Sequence, residues 1–257
     1  LMPDLSSYTS ETIGLLHNRV SVRKYADKPV AQIMVDAILE AAFRAPTSSN
    51  IQAYSVVVVR DHDTLQKLSA VTGGQKHVAN TPVFLAFCAD LTRIQAAMKM
   101  NGGSIEVNSL ETGLVASIDA TLVGMSASLV AESLGLKGLM IGAVRNNASE
   151  TAKILNLPKQ VFCAFGMCLG WPGEEPPQKP RMAQAAMVHH EQYGNHENGQ
   201  TPDALLNTYD RDLSAHYTSI NKPTTKDSWT HDIAKKFSPE PRANLRKELK
   251  DQGFDFS

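Results

Sequence analysis

Cysteine is scarce in this chain of 257 residues, with only Cys88, Cys163 and Cys168. An odd number lying inside apolar runs excludes a disulfide framework and suits a reducing, cytoplasmic setting. An excess of either charge is also missing: 25 Lys and Arg stand against 26 Asp and Glu, a net of -1 at pH 7. No bulk positive field exists to hold nucleic acid or an anionic membrane, so a phosphate ligand needs a local basic pocket. The apolar runs at 83–89 and 161–169 fall well short of the roughly 20 residues that span a bilayer, so no membrane insertion is expected. Residues 1–16 contain no Lys or Arg, which argues against a secretory signal there.

Several signatures of nucleotide, metal and nucleophile chemistry are absent too. Gly135, Gly138 and Gly142 do not reproduce the Gly-x-Gly-x-x-Gly turn, and no Gly-Lys-Ser/Thr phosphate loop occurs. No Gly-x-Ser-x-Gly elbow marks a hydrolase. Cys163 and Cys168 lack a second Cys or His pair, and His189 and His190 would face opposite ways in an extended chain, so no metal site is expected. Internal repeats are not found.

What is present reads as a folded globular chain, with 42% hydrophobic and 20% charged residues. The length suits one large domain, or one domain with an appended segment. Thr9 or Ser10 can cap a helix through Ile13, Leu15 and Leu16 that ends near Asn18. The run Arg19-Val20-Ser21-Val22-Arg23-Lys24-Tyr25 alternates, so an extended chain projects Arg19, Ser21 and Arg23 from one side. Ile33, Ala37, Ile38 and Ala41 recur at helical spacing, and Pro46 drives Ala45 out of the helix into a polar loop over 47–50.

Strands are expected at 54–59, 83–89, 139–144 and 161–169, with helices around Leu65, Leu68 and Val71, over 109–134, and near 150–155. The 109–134 window holds only Glu111, Asp119 and Glu132 as charges and is expected as a central, largely buried helix. Segment 92–108 shows no readable pattern and stands as a candidate substrate lid. Past Trp171 a proline-rich stretch ends in Lys179 and Arg181. Helices are then expected over 203–217 and 243–250, in a tail without a core of its own. Residues 222–250 carry eight Lys or Arg against four acids.

Polar groups cluster beside these element ends: Arg19, Ser21 and Arg23; Thr47, Ser48, Ser49, Asn50 and Gln52; Gln75 and Lys76; Arg145, Asn146 and Asn147; Lys179 and Arg181. Taken singly, each is most simply a solvated charge or a turn former. Together their chemistry converges, because guanidinium forks and hydroxyls suit a phosphate, while amides suit a ring edge of alternating donors and acceptors.

Five motifs in order resemble the FMN-dependent nitroreductase family: Arg-Val-Ser-Val-Arg-Lys-Tyr at 19–25, Ala-Pro-Thr-Ser-Ser-Asn-Ile-Gln at 45–52, Thr-Gly-Gly-Gln-Lys-His-Val at 72–78, Ile-Gly-Ala-Val-Arg-Asn-Asn at 141–147, and Leu-Gly-Trp-Pro with Lys-Pro-Arg over 169–181. The chain looks most like the oxygen-insensitive NADPH nitroreductase and flavin reductase branch, over about residues 10–250. The resemblance implies an α+β fold, a three-layer α/β/α sandwich with a mixed central sheet. It also implies one nitroreductase-like domain over 1–257, homodimeric, with an extension over about 195–257 packing on the partner subunit.

By the same resemblance, Arg19, Val20, Ser21 and Arg23 hold the FMN phosphate and ribityl chain, with Lys179 and Arg181 closing on the phosphate. Thr47, Ser48, Ser49 and Gln52 reach the flavin from the partner, Gln75 meets the ring edge, and Ile141, Gly142 and Ala143 lie along it. Arg145 stands beside the site, available to a substrate anion. Where the branch carries arginines for the nucleotide phosphate, this chain has Lys222 and Lys226, so NADPH and NADH both stand as donors. The implied reaction is ping-pong, with a hydride passing through flavin N5 to a planar nitroaromatic, quinone or free flavin, and with no side chain acting as acid, base or nucleophile. Dehalogenating and flavin-consuming members share the fold, and a flavin-binding protein without turnover would carry the same motifs. Arg19→Ala is expected to lower the FMN content of purified protein far more than the hydride rate of the bound fraction, and unchanged FMN content would contradict that assignment.

Overall fold

The computed structural model describes residues 7–104, 110–194, 201–222 and 228–256. Four strands form its sheet: β1 (Tyr54–Val59), β2 (Val83–Asp90), β3 (Lys137–Ile141) and β4 (Val161–Gly170). They lie in the order β1-β2-β4-β3, and all three pairings are antiparallel. The α+β class holds. The mixed sheet does not, because β4 inserts between β2 and β3 and runs against both, leaving no parallel pair among the described residues. β2 and β4 are covered on both faces, which is why their sequences read as unbroken apolar runs rather than alternating ones.

The helices make the outer layers. α1 (Glu11–His17) starts where the Ser10 hydroxyl accepts from the Ile13 N–H at 3.2 Å. One sheet face, with Val83, Leu85, Phe87, Phe162 and Ala164, packs against α2 (Gln32–Ala42) and the long helix over Leu110–Ser133. The other face, with Phe84, Ala86, Cys88, Cys163 and Cys168, packs against Leu65 and Leu68 of α3 (His62–Val71) and Val78 of α4 (Lys76–Ala79). α5 (Thr92–Met100) follows β2, which makes the long helix α6, and α7 (Ala148–Ile154) follows β3.

α6 approaches the sheet on a strip of small residues, Ala116, Ala120, Val123, Ala127 and Ala131, all fully buried. A Cβ added to Gly124 would lie 2.3 Å from the Phe165 ring, so only glycine permits this closeness. The expectation of a largely buried helix needs correction. Leu110, Leu114, Ile118, Leu122 and Met125 form a second stripe that is 37–55% exposed. By length and composition α6 would suit a bilayer, but it carries two buried acids: Asp119, which accepts from the Ser48 and Ala53 N–H groups, and Glu132, paired with Lys137 at 2.8 Å.

Other differences are local. β3 ends at Ile141 rather than at 144, because Gly142–Asn147 turns into a 3₁₀ helix that buries Val144. The 19–25 segment forms no ladder: the Val22 N–H donates to Gly138 of β3, and Tyr25 bridges to Pro172, just beyond the end of β4. α4, α5 and α9 (Trp229–Lys236) have no counterpart in the sequence expectations.

The chain divides into two compact units. The first holds the described residues up to Pro176 together with those from Arg242 onward, including α10 (Leu245–Asp251). Leu249 and Phe254 enter its core, Phe254 standing edge-on to Phe162 at 4.7 Å. The final part of the expected 195–257 extension therefore packs on its own chain. The second unit holds α8 (Pro202–Ser219) and α9, joined where the Thr230 N–H donates to Asp210 at 3.0 Å and Tyr209 meets Trp229.

Candidate functional site

The first motif is fastened by its backbone. Val22 is buried and its N–H donates to the Gly138 carbonyl at 3.2 Å, which docks the segment on β3. Glu174 accepts from the N–H groups of Arg23 at 2.7 Å and Lys24 at 3.2 Å. Arg23 stays exposed, whereas Arg19, Val20 and Ser21 are half-buried. Burial first, and then the charge of Arg23, hold the His77 ring below its ordinary pKa, which places the first and third motifs in one electrostatic neighbourhood. His77 Nε2 lies 3.1 Å from Gln75 Oε1. A neutral ring protonated at Nε2 donates there and leaves the Gln75 NH₂ for another acceptor.

The fourth motif turns at the end of β3. Ile141 is buried, while Gly142 and Ala143 are half-buried. The nearest atoms to a Cβ added at Gly142 all belong to the Arg145 guanidinium, the closest at 3.5 Å, so this backbone presents a flat surface backed only by that group. Arg145 donates to the Ala164 carbonyl. Arg242, which motif reading did not single out, donates to Asn146 Oδ1 at 3.2 Å and to the Gly142 carbonyl at 3.4 Å. Burial, followed by the positive charge of Arg242, pushes the pKa of Arg145 down. Neither guanidinium pairs with a carboxylate among the described residues, so an anionic ligand would relieve their repulsion.

The 47–53 loop is held differently. Thr47 is half-buried, and Ser48, Ser49, Asn50 and Gln52 are exposed. Ser49, Asn50 and Gln52 have φ of 48°, 57° and 55°, a left-handed conformation that costs of order 1 kcal/mol or more for residues such as Ser and Gln. Asp119, fully buried on α6, accepts from the Ser48 N–H at 3.0 Å and the Ala53 N–H at 3.0 Å. Hydrogen bonds to a charged group contribute about 1.5–3 kcal/mol each, enough to offset that strain. Arg93 donates to the carbonyls of Gln52 and Tyr54, and is itself fixed by Asp90 at 3.3 Å. Burial alone would raise the Asp90 pKa, but hydrogen bonds from Ser55 and Thr92, and then the Arg93 charge, outweigh it and hold the carboxyl low.

Ala53 and Tyr54 anchor this loop in the core layer shared with α6, whereas Val78 and Ile141, beside Gln75 and Gly142, belong to the opposite layer. Among the second-unit residues, Lys179 donates to the Tyr217 hydroxyl at 2.9 Å, and Arg181 and Lys222 are exposed. Lys226 lies outside the described residues, as does 105–108 of the candidate lid. The rest of that segment begins with α5, whose Arg93 serves the 47–53 loop. The buried thiols are not poised as nucleophiles. Burial pushes Cys168 up to about 12, and the hydrogen bond that the Cys88 thiol donates to Cys163, together with burial, raises Cys88.

His77 provides a pH test. Its folded pKa is depressed, so as pH falls the unfolded chain takes up the proton first and stability declines through about 6.5. The loss levels off once the folded ring also protonates. His77→Asn is expected to flatten the thermal midpoint between about pH 8 and about pH 5 relative to the unaltered protein. Parallel midpoint curves for the two proteins would contradict the assignment.

The Nitroreductase family model matches residues 16–171, and the model for the family's C-terminal domain matches 179–257. The chain is 35% identical over 245 residues to the oxygen-insensitive NADPH nitroreductase of Salmonella typhimurium, covering 95% of this chain and 98% of that protein. It is 36% identical over 247 residues to the FMN reductase (NAD(P)H) of Bacillus subtilis, covering 95% and 98%. The structure of the hypothetical oxidoreductase YcnD from Bacillus subtilis superimposes with a TM-score of 0.91 at 36% identity, covering 96% of this chain and 99% of that one. With models matching most of its length and relatives above 30% identity, the chain belongs to the nitroreductase family.

Proposed function

We propose that this protein is an FMN-dependent oxidoreductase that takes a hydride from NADPH or NADH and delivers it to a planar acceptor such as a nitroaromatic, a quinone or free flavin. The observation that carries the reading is the unpaired Arg145–Arg242 couple beside the open backbone of Gly142. Such a site wants a flat ligand on which negative charge develops. The donor set fits FMN: guanidiniums and a hydroxyl at Arg19, Arg23 and Ser21 for the phosphate, and an amide at Gln75 for the ring edge. Bound FMN supplies the hydride chemistry. The chain's own residues bind, orient and balance charge.

Arg19, Ser21 and Arg23 neutralise the phosphate. Gln75, oriented by His77, offers its NH₂ to a ring acceptor. Ile141, Gly142 and Ala143 form the flat wall, and Arg145 with Arg242 favours the reduced, anionic state of the ligand. Lys222 and Lys226 serve the nucleotide phosphate as point charges, which suits tolerance of both nicotinamide donors. Raised thiol pKa values support a reaction without a cysteine nucleophile, and three free buried thiols suit the cytoplasm.

The working unit is a homodimer. The exposed stripe of Leu110, Leu114, Ile118, Leu122 and Met125 is an apolar face that a second copy covers. The anchoring of the 47–53 loop and of Gln75 in different core layers supports Thr47, Ser48, Ser49 and Gln52 serving the flavin of the partner subunit.

An anaerobic absorbance spectrum, followed by rapid mixing with NADPH and with NADH, tests the activity. Flavin bands that bleach with either donor and return with a nitroaromatic or quinone are expected. Bound flavin that stays oxidised with both donors would make this a flavin-binding protein without turnover, and no flavin after reconstitution would remove the reading. For the dimer, Ile118→Glu is expected to halve the light-scattering mass and weaken FMN binding at least about tenfold. A single-chain mass for the unaltered protein would overturn it.

A further inference from the structure

Nothing in the proposed reaction gives Asp119 a role, yet it is the most elaborately satisfied acid on α6. It is fully buried on a helix face otherwise made of Ala116, Ala120 and Val123. A buried carboxylate among such residues is costly unless both oxygens are hydrogen-bonded, and for packing alone an apolar residue would serve. Here each oxygen has one partner, and the partners are the two ends of one loop: Oδ1 takes the Ser48 N–H and Oδ2 takes the Ala53 N–H, both at 3.0 Å.

The loop needs such a restraint. Three of its residues, Ser49, Asn50 and Gln52, hold φ between 48° and 57°, and no glycine lies between 47 and 53 to favour that conformation. Its local preference is therefore against the shape observed, and tertiary bonds must impose it. Arg93 completes the restraint by taking the carbonyls of Gln52 and Tyr54. Backbone N–H groups go to a buried acid and carbonyls to a guanidinium, while the side chains of Ser48, Ser49, Asn50 and Gln52 stay exposed, the Gln52 amide donating to Asn50 within the loop. Preorganised donors of this kind bind without an ordering cost at the moment of contact.

We infer that Asp119 is a positioning residue, which clamps the 47–53 loop in its left-handed shape so that the loop's hydroxyls and amides are ready for the flavin. This rests on the flavin reading above for the identity of the ligand, but the clamp itself stands on the hydrogen bonds. Asparagine cannot replace the carboxylate fully, because its single acceptor oxygen serves one N–H while its NH₂ confronts the other.

The test compares unaltered protein with Asp119→Asn and Asp119→Ala. Three quantities are read: amide hydrogen exchange at Ser48 and Ala53, the Kd for FMN added to apoprotein by flavin fluorescence, and the thermal midpoint. Slow exchange at both amides is expected in the unaltered protein, at least about tenfold faster in Asp119→Asn, with FMN Kd raised about tenfold or more and exchange over residues 19–25 unchanged. A lower midpoint with FMN Kd within twofold would assign Asp119 to stability alone and overturn the inference, as would rapid exchange of both amides in the unaltered protein. Should Asp119→Ala fail to fold, the asparagine variant and the unaltered protein still decide. Failure of the unaltered protein to take up FMN overturns the flavin reading, whereas the exchange rates judge the clamp separately.

Discussion

Helix α6 lies against the sheet on alanines and a glycine, with Val123 among them, and the consequences of that close contact reach every part of the site. Small side chains let the helix axis sit near β2 and β4, at Gly124 so near that the Phe165 ring leaves no room for a Cβ. Larger residues are displaced to the opposite side, where Leu110 through Met125 form the exposed stripe. The same contact brings Asp119 down to the start of β1, within reach of the backbone on both sides of the 47–53 loop. One packing choice thus leaves an exposed apolar stripe on one side of α6 and supports the 47–53 loop from the other.

Charge is distributed on a complementary plan. Acids are satisfied within the fold: Asp119 by two amides, Asp90 by Ser55, Thr92 and Arg93, and Glu174 by two backbone N–H groups. Around Gly142, by contrast, two guanidiniums meet, and among the described residues their hydrogen bonds go to carbonyl and amide oxygens. Repulsion left uncompensated in a folded protein is a reserve of binding energy for an anion.

Much of the architecture was legible because its signals are local. β1 ends where its run of valines does, β2 and β4 follow their apolar runs, and the Ser10 cap sets the start of α1. The amphipathic helices α2 and α3 show their periodicity in sequence. The four-residue α4 is too short for a period to register, and α5 buries none of its residues. The antiparallel pairing of β4 with β3 was not legible, since a strand carries no mark of which neighbour it will join or in which sense.

The site divides along the same line. The order of the motifs, with guanidiniums, hydroxyls and amides beside element ends, was determined by the sequence alone, because residue chemistry does not depend on folding. Asp119 was visible as a rare charge in an apolar helix, but its task became clear only when α6 brought it under a loop whose contacts with it lie 66 and 71 residues away in sequence. Arg242 stood among many basic tail residues until the chain's return to the core set it beside Arg145. Left-handed φ values at Ser49 and Gln52 run against their local preference and exist only because distant groups hold them. Sequence determined which chemistry this protein carries. Tertiary structure decided which guanidiniums come together, which loop is held taut and which face of α6 stays exposed, because burial and hydrogen-bond satisfaction are properties of neighbours in space.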